Sequence, residues 1–485
     1  MKILFVTSEA FPLIKTGGLA DVSGSLPNAL KNLHLDVRLL IPGYPSVLQA
    51  LGETQKIASI HYLSGVGEVN LLLGKMPETN VPVIAIESAS LFDREGNPYV
   101  NAAGHDWPDN ALRFGILSKV AALLANKKRH LIDWQPDIVH CNDWQTGLAP
   151  AYMKLVEHTD TKSVMSIHNM AFQGCFPPHF LQTLQLPAEH FVMDGLEYHG
   201  QLSFLKAGLF YADAISTVSP KYAQEIQTNA FGFGLEGLLA KRHQDITGIL
   251  NGIEPSEWNP KNDTYICENY SVRKLGNKKL VKAALQTRLG LRIDANAPLL
   301  GVVSRLTYQK GLDMLLPVLP RLLAQGCQLA ALGSGEYSLQ EAFVDLAHDY
   351  PSQVSVTVGY NEPLSHQIMA GSDMFIMPSR FEPCGLNQLY GLAYGTPPIV
   401  NATGGLADSV VDTNEQTLKN KTANGFVMPE TSSYGLLYTI ERAVQTYNET
   451  PKIWQQLQKN GMSLNLSWDH SAQEYLKLYE NLLKK

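Results

Sequence analysis

The chain has 485 residues, a net charge of −7 and 45% hydrophobic side chains. That is enough for more than one buried core, while the acidic balance and the lack of any Lys/Arg-rich run exclude a nucleic-acid surface. No apolar stretch approaches the ~20 residues of a membrane span, and the cysteines Cys141, Cys175, Cys267, Cys327 and Cys384 form no CxxC pair, which fits reduced thiols in a cytoplasmic protein.

The first element is a buried strand, Ile3–Ser8, too short for a signal peptide. "SEAFPLIKTGGLADVSGSLPNALKNL" follows it. Gly17 and Gly18 let a backbone approach a ligand closely. Leu19, Val22, Leu26, Leu30 and Leu33 then mark one helix face, with a kink expected at Pro27. A helix N-terminus with Lys15 beside it suits phosphate. The ordinary alternative is a strand-to-helix turn with a surface lysine. The P-loop spacing is absent.

Further strands are expected at Val37–Ile41, Val81–Ile86, Asp137–Cys141, Ser163–Ile167, Ala214–Val218 and Ile246–Leu250, with a helix at Ala111–Lys127. Asp143 and Trp144 come just after one of these strands, His168 and Asn169 after the next. A lone histidine is usually structural; two polar strand ends in one sheet point to sugar-binding groups. "FGFGLEGLL" contains a formal GxGxxG at Gly232, Gly234 and Gly237, but it follows a helical pattern and not a strand, so dinucleotide binding is not expected.

A Gly/Pro/Asn-rich stretch at Asn251-Gly252 marks a boundary, and Trp258–Lys279 reads as irregular. A second set of strands follows at Leu299–Val303, Gln328–Leu332, Val354–Val358, Met374–Met377 and Pro398–Val400, with a helix at Tyr337–Asp349. Strand–helix alternation implies parallel sheets covered on both faces, and two sets imply two sheets. Ligands bind at carboxyl ends of such strands. There stand Arg305 and Lys310, two cations beside Gly311; Gly359 and Tyr360; and Glu382 before Cys384-Gly385-Leu386. Arg can clamp a phosphate with two hydrogen bonds and Lys acts as a point charge; solvated surface cations are the plain alternative. Cys384 is expected to supply backbone N–H groups rather than a nucleophile. The hexapeptide TGGLAD recurs at Thr16–Asp21 and Thr403–Asp408. The second copy has Ala402 where the first has Lys15, so a shared turn geometry is expected, with a donor-phosphate role only for the first. The last residues form an amphipathic helix with Tyr475, Leu478, Tyr479 and Leu482 on one face. No His/Cys/Asp/Glu cluster has metal-ligand spacing, and no metal is expected.

Taken in order, Lys15 to Leu19, Asp143-Trp144, His168-Asn169, Asn251-Gly252, Arg305 with Lys310, and Glu382 to Leu386 resemble the starch-synthase family of retaining glucosyltransferases, which includes the bacterial glycogen synthases. The resemblance covers essentially the whole chain. It implies an α/β fold of two facing Rossmann-like domains with a deep cleft between them, the GT-B type. Residues 1–250 would form the acceptor and catalytic domain, residues 251–465 the nucleotide-sugar domain, and a helix at about 466–485 would pack back on the first.

It also implies transfer of glucose from ADP-glucose to the non-reducing end of an α-1,4-glucan such as glycogen, with retained configuration and no cofactor beyond that substrate. Lys15, Arg305 and Lys310 would bind the donor phosphates, with backbone N–H groups of Gly18 and Leu386. Thr16, Gly17, Asp21, Asn251, Gly359, Cys384 and Gly385 would line the donor, and Tyr360 would pack on adenine. Glu382 would hold the donor glucose and His168 would sit beside its anomeric carbon. Asp143, Arg305 and Lys310 complete the catalytic set with Glu382 and His168. Glu9, Tyr99, Asp143, Trp144 and Asn169 would contact sugar or acceptor. Three departures stand out: Asn142 where many members have His, Tyr390 where related families carry a second Glu, and Asn401-Ala402 where arginine often precedes the second TGGL. A related retaining glycosyltransferase using UDP-glucose or a different acceptor, a non-catalytic glucan-binding protein and a nicotinamide oxidoreductase are the competing readings.

Overall fold

A computed structural model describes residues 1–63, 66–101 and 103–484. The chain divides into two compact units, one of Met1–Asn251 with Trp468–Lys485, the other of Gly252–Ser467.

The first unit holds strands β1 (Lys2–Val6), β2 (Asp36–Pro42), β3 (Gln55–Leu63), β4 (Gly67–Lys75), β5 (Pro82–Glu87), β6 (Ile138–Asn142) and β7 (Lys162–Ile167). It continues with β8 (Cys175–Phe176), β9 (Glu197–Tyr198), β10 (Gln201–Ser203), β11 (Ala214–Thr217) and β12 (Ile246–Gly248). Nine of these form one sheet in the order β12-β11-β7-β6-β1-β2-β5-β4-β3. Its pairings are parallel except at β3–β4 and β4–β5. Ile3 to Val6 are wholly buried, as expected of a central parallel strand covered on both faces. The β3–β4 hairpin escaped the strand pattern read from sequence. It lies at the sheet edge, where burial is one-sided: Val69 and Leu71 are buried while Glu68 is exposed. β8, β9 and β10 make a small antiparallel sheet of two- and three-residue strands, too short to leave a periodic signal.

The helix at Asn110–Ala125 is buried almost all round, and the helix at Gly18–Asn32 runs through Pro27 as one element. The terminal helix, Trp468–Lys484, packs on Gly18–Asn32. Tyr475, Tyr479 and Leu482 are its buried stripe and Leu478 is half-buried. His140 of β6, wholly buried, hydrogen-bonds the Tyr479 hydroxyl through Nδ1 at 2.7 Å and Ser166 Oγ through Nε2 at 2.6 Å. Burial pushes its pKa down to about 3, so it is neutral there.

The second unit holds β13 (Leu299–Val303), β14 (Gln328–Gly333), β15 (Val354–Val358), β16 (Met374–Met377), β17 (Pro398–Val400) and β18 (Phe426–Val427), all parallel in the order β15-β14-β13-β16-β17-β18. Alternate residues enter opposite cores. Leu300, Val302, Leu329, Ala331, Met374 and Ile376 face one; Leu299, Ala330, Leu332, Phe375 and Met377 face the other side. The segment after the boundary is largely irregular, as expected, and is held by Trp258. That ring stacks between His366 and Tyr390 at centroid distances of 3.8 and 3.7 Å. Tyr390, the position where related families place a carboxylate, is thus a packing residue here.

Candidate functional site

Parallel sheets offer a ligand crevice where the strand order reverses, beyond the carboxyl ends of the two strands concerned. In the first unit the reversal lies between β1 and β6, in the second between β13 and β16. The residues singled out from the sequence collect at both points.

Beyond β1, Glu9 is buried. Its carboxylate accepts from Thr16 N at 2.6 Å, Gly17 N at 3.2 Å, Thr16 Oγ1 at 2.9 Å and the Tyr99 hydroxyl at 2.7 Å. Glu9 therefore anchors the glycine loop, with Tyr99 behind it. Lys15 forms an ion pair with Asp21 at 2.8 Å, and both side chains remain partly accessible. The helix starts at Gly18 with no side-chain cap on its N-terminus. A Cβ at Gly17 or Gly18 would meet nothing within 4 Å. No neighbour in the protein crowds these positions, which leaves the loop's face open to a ligand.

Beyond β6, Asp143 adopts φ 55°, and its Oδ1 accepts from the backbone N–H of His168 at 2.7 Å and of Asn169 at 3.3 Å. Burial pushes the Asp143 carboxyl up to about 7, against those two hydrogen bonds. His168 Nε2 lies 2.9 Å from Asn142 Oδ1. The Asn142 amide nitrogen already donates to the Val6 carbonyl at 3.0 Å, so Asn142 offers its oxygen and the His168 proton sits on Nε2. Burial pushes His168 down to about 4, and it is uncharged at neutral pH. Asn142 thus has a defined function in this chain: it fixes the His168 tautomer. Trp144 packs edge-on against Phe114 at 5.0 Å and lies against Phe176 and Phe204, which makes its ring mainly a support for the Asp143 loop. Asn169 Oδ1 accepts from Ala171 N at 3.0 Å. Asn251, at the end of this unit, has a buried Oδ1 with no hydrogen-bond partner among the described residues.

In the second unit, Lys310 Nζ stands 2.6 Å from Glu382 Oε2, which also accepts from Ser379 Oγ at 2.9 Å. The pair is largely buried. Arg305 is exposed, and its guanidinium makes no hydrogen bond or ion pair among the described residues. Tyr360 is 76% exposed just beyond β15, its hydroxyl on Glu362. The preceding Gly359 has φ 115°, a backbone conformation that favours glycine. Cys384 is buried, and Gly385, at φ 70°, is followed by Leu386 at the start of the helix Asn387–Ala393.

Glycines let these loops stack on one another. A Cβ on Gly333 would stand 1.8 Å from Ser304 O, on Gly311 2.2 Å from Pro378 O, and on Gly405 2.1 Å from Cys384 O. The two TGGLAD copies differ in geometry, contrary to the shared turn expected. Gly17 is extended and precedes the helix, whereas the second helix starts one position earlier in the motif, at Gly404. Gly404 has φ 43°, and a Cβ there would stand 1.9 Å from Glu382 O. The second copy is packed against the Glu382 loop. Two further residues, Arg380 and Asp313, escaped the sequence reading; they join by hydrogen bonds of 2.7 Å from both terminal nitrogens of Arg380. Adjacency to Glu382 was the only signal that could have found Arg380.

Among the described residues there is no group of three or more His, Cys, Asp or Glu able to hold a metal ion. None of their helices is long and apolar enough to cross a membrane. The GxGxxG match comes after the helix Pro220–Glu225 and not after a strand, and its last glycine, Gly237, already lies in the helix Glu236–Lys241.

Residues 2–241 match the family model described as starch synthase catalytic domain, and residues 286–460 that of glycosyl transferases group 1. The glycogen synthase of Nitrosospira multiformis is 50% identical over 488 aligned residues, covering 100% of this chain and 98% of that protein. That of Francisella tularensis subsp. novicida is 44% identical, with 100% of both covered. Among solved structures, the catalytic domain of starch synthase IV from Arabidopsis thaliana, bound to ADP and acarbose, matches with TM-score 0.87 and 30% identity over 100% of this chain and 99% of that one. Sucrose-phosphate synthase from Thermosynechococcus elongatus, 17% identical with TM-score 0.60, shares the fold. Two Rossmann-like units with both strand-order reversals furnished in this way, matched end to end by such relatives, place the chain in the glycogen synthase and starch synthase family of GT-B glycosyltransferases.

Proposed function

We propose that the protein transfers glucose from ADP-glucose to the non-reducing end of an α-1,4-glucan with retention of configuration, elongating glycogen in the cytoplasm. The observation that carries this reading is the Lys310–Glu382 pair at the β13/β16 reversal, with the unpaired Arg305 beside it on the β13 loop. A nucleoside diphosphate is already a good leaving group. The main task is to stabilise negative charge as it departs and positive charge on the sugar. Lys15, Arg305 and Lys310 supply the cations, and backbone N–H groups at Gly18 and Leu386 add to them. Gly17 and Gly18 leave room for the phosphates.

Glu382 has one oxygen committed to Lys310 and Ser379; the other is offered to donor glucose hydroxyls. A neutral His168 adds no charge repulsion beside a sugar carrying positive charge. Asp143 orients His168 through its backbone and with Asn169 serves the acceptor side, while Tyr99 acts through Glu9. Glu9 and Thr16 hold the donor loop, Tyr360 takes the adenine, and Asn251 Oδ1 supplies one more acceptor. No cofactor is needed beyond the donor. A retaining glycosidase uses two carboxylates; here Asp143 is committed to the His168 and Asn169 backbone and Glu9 to the glycine loop, which leaves Glu382 as the carboxylate offered to the donor sugar and favours same-face attack over a covalent glycosyl intermediate.

The test is radiolabelled glucose offered as ADP-glucose or UDP-glucose with glycogen. Incorporation from ADP-glucose is expected; incorporation from UDP-glucose alone would overturn the choice of base, and none from either would overturn the activity.

A further inference from the structure

Lys310 and Glu382 lie on loops leaving two adjacent strands, and a single ion pair cannot fix the orientation of both. Arg380 can. Its guanidinium donates to both carboxylate oxygens of Asp313 at 2.7 Å and to the Tyr308 carbonyl at 2.6 Å. Its plane covers the Tyr308 ring, 3.6 Å from the centroid. The Arg380 N–H donates to Gln309 O at 2.9 Å, and Gln309 Nε2 donates back to Phe381 O at 3.2 Å. Tyr308, Gln309 and Asp313 flank Lys310, while Arg380 and Phe381 immediately precede Glu382. Every one of these bonds therefore ties the frame of one functional side chain to the frame of the other.

Stability alone does not account for the arrangement. Asp313 keeps 40% of its side-chain surface exposed and Tyr308 is 63% exposed, and partly exposed ion pairs contribute little to folding. A bidentate, stacked guanidinium supplies direction instead: the fork meets both carboxylate oxygens in one plane, which lysine cannot reproduce. We propose that Arg380, held by Asp313 and Tyr308, is a positioning residue that sets Lys310 and Glu382 in the geometry that acts on the donor. This rests on the functional reading above in assigning those two residues to glucosyl transfer.

The experiment uses the full-length protein carrying Asp313→Asn or Arg380→Lys, each alone and combined with Lys310→Ala. Misplacement of a catalytic group by an ångström is worth up to about 100-fold, so each single variant is expected to lower kcat for transfer from ADP-glucose by at least tenfold. The KM for glycogen should stay unchanged. Because the effect runs through Lys310 and Glu382 together, the same change in the Lys310→Ala background, where one of the two is already gone, should cost at least about threefold less than in the wild type. A residue that merely supports the fold would give equal losses in both backgrounds, and that result, or singles with wild-type kcat, overturns the proposal. Amide exchange of residues 305–311 and 379–384 is measured on the same proteins without substrate. Faster exchange confined to these loops is expected in Arg380→Lys; unchanged exchange overturns the positioning role whatever the substrate. Faster loop exchange in Arg380→Lys together with a wild-type protein that fails to use ADP-glucose sinks the functional reading and leaves the clamp standing.

Discussion

The two glycine pairs of the repeated hexapeptide should fail in opposite ways when given a methyl group. At Gly18 a Cβ meets nothing within 4 Å and the backbone is helical. Gly18→Ala should therefore leave the fold intact, or stabilise it by up to about 1 kcal/mol, since alanine is the better helix former. On the proposed donor role of this loop, the new methyl would stand where a phosphate approaches, and donor affinity should fall by at least about tenfold, equivalent to ~1.4 kcal/mol. At Gly404 the methyl meets the protein itself. Its φ of 43° costs alanine about 1–2 kcal/mol. Its Cβ would stand 1.9 Å from Glu382 O, where 3.0 Å is the practical minimum, so one of the two must retreat by 3.0 − 1.9 = 1.1 Å.

A strain of that size should lower the melting temperature by roughly 3–8 °C for a domain of this size. Displacing the Glu382 backbone by an ångström should reduce kcat by up to ~10²-fold while ADP affinity changes less. Differential scanning calorimetry, ADP titration and steady-state kinetics on the two variants separate the outcomes. Equal losses of ADP affinity with both folds intact would refute the distinction, and so would a Gly404→Ala variant with wild-type stability and turnover.

Lys310→Ala and Glu382→Ala should each lower kcat by at least ~10²-fold, the usual consequence of removing a positioned charge at the transition state; near-normal turnover in both would return the chain to a glucan-binding role. His168 and His140 are held neutral by burial, with pKa values pushed to about 4 and about 3 from 6.5. Their folded pKa values lie below the unfolded ones, so the unfolded chain takes up protons first. Stability present above pH 6.5 is lost as pH falls toward 4 and 3, at roughly 1.4 kcal/mol per pH unit per histidine. Denaturant midpoints measured from pH 7 to 4 check this, and His140→Gln should flatten part of the slope. Tyr479→Phe leaves His140 Nδ1 buried without its 2.7 Å partner and should cost about 1–3 kcal/mol; urea unfolding of the variant measures it, and an unchanged midpoint would show that the terminal helix is held by its apolar stripe alone.

What was legible in the sequence follows from how each interaction is encoded. Strands buried on both faces are continuous apolar runs, so Leu299–Val303 and Met374–Met377 could be read to the residue. The edge hairpin of β3 and β4 carries polar residues on one face and blurs into loop. The charged residues at strand ends could be read because position after a strand is itself a chemical signal. Their partners could not. The resemblance gives Glu9 as a contact for sugar or acceptor, and nothing in its own surroundings in sequence shows that its carboxylate also holds Thr16, Gly17 and Tyr99, one of them 90 residues away. Asn142 reads as a departure from pattern until its oxygen is found on His168. The glycines show the limit most sharply. Identical hexapeptides adopt different backbone angles because what a glycine permits is decided by what packs against it: open space at Gly17 and Gly18, and the carbonyls of Glu382 and Cys384 at Gly404 and Gly405. Spelling encodes the freedom, and the tertiary neighbour decides its use. For that reason the second copy, read as mainly structural because it lacks the lysine, bears directly on the placement of Glu382.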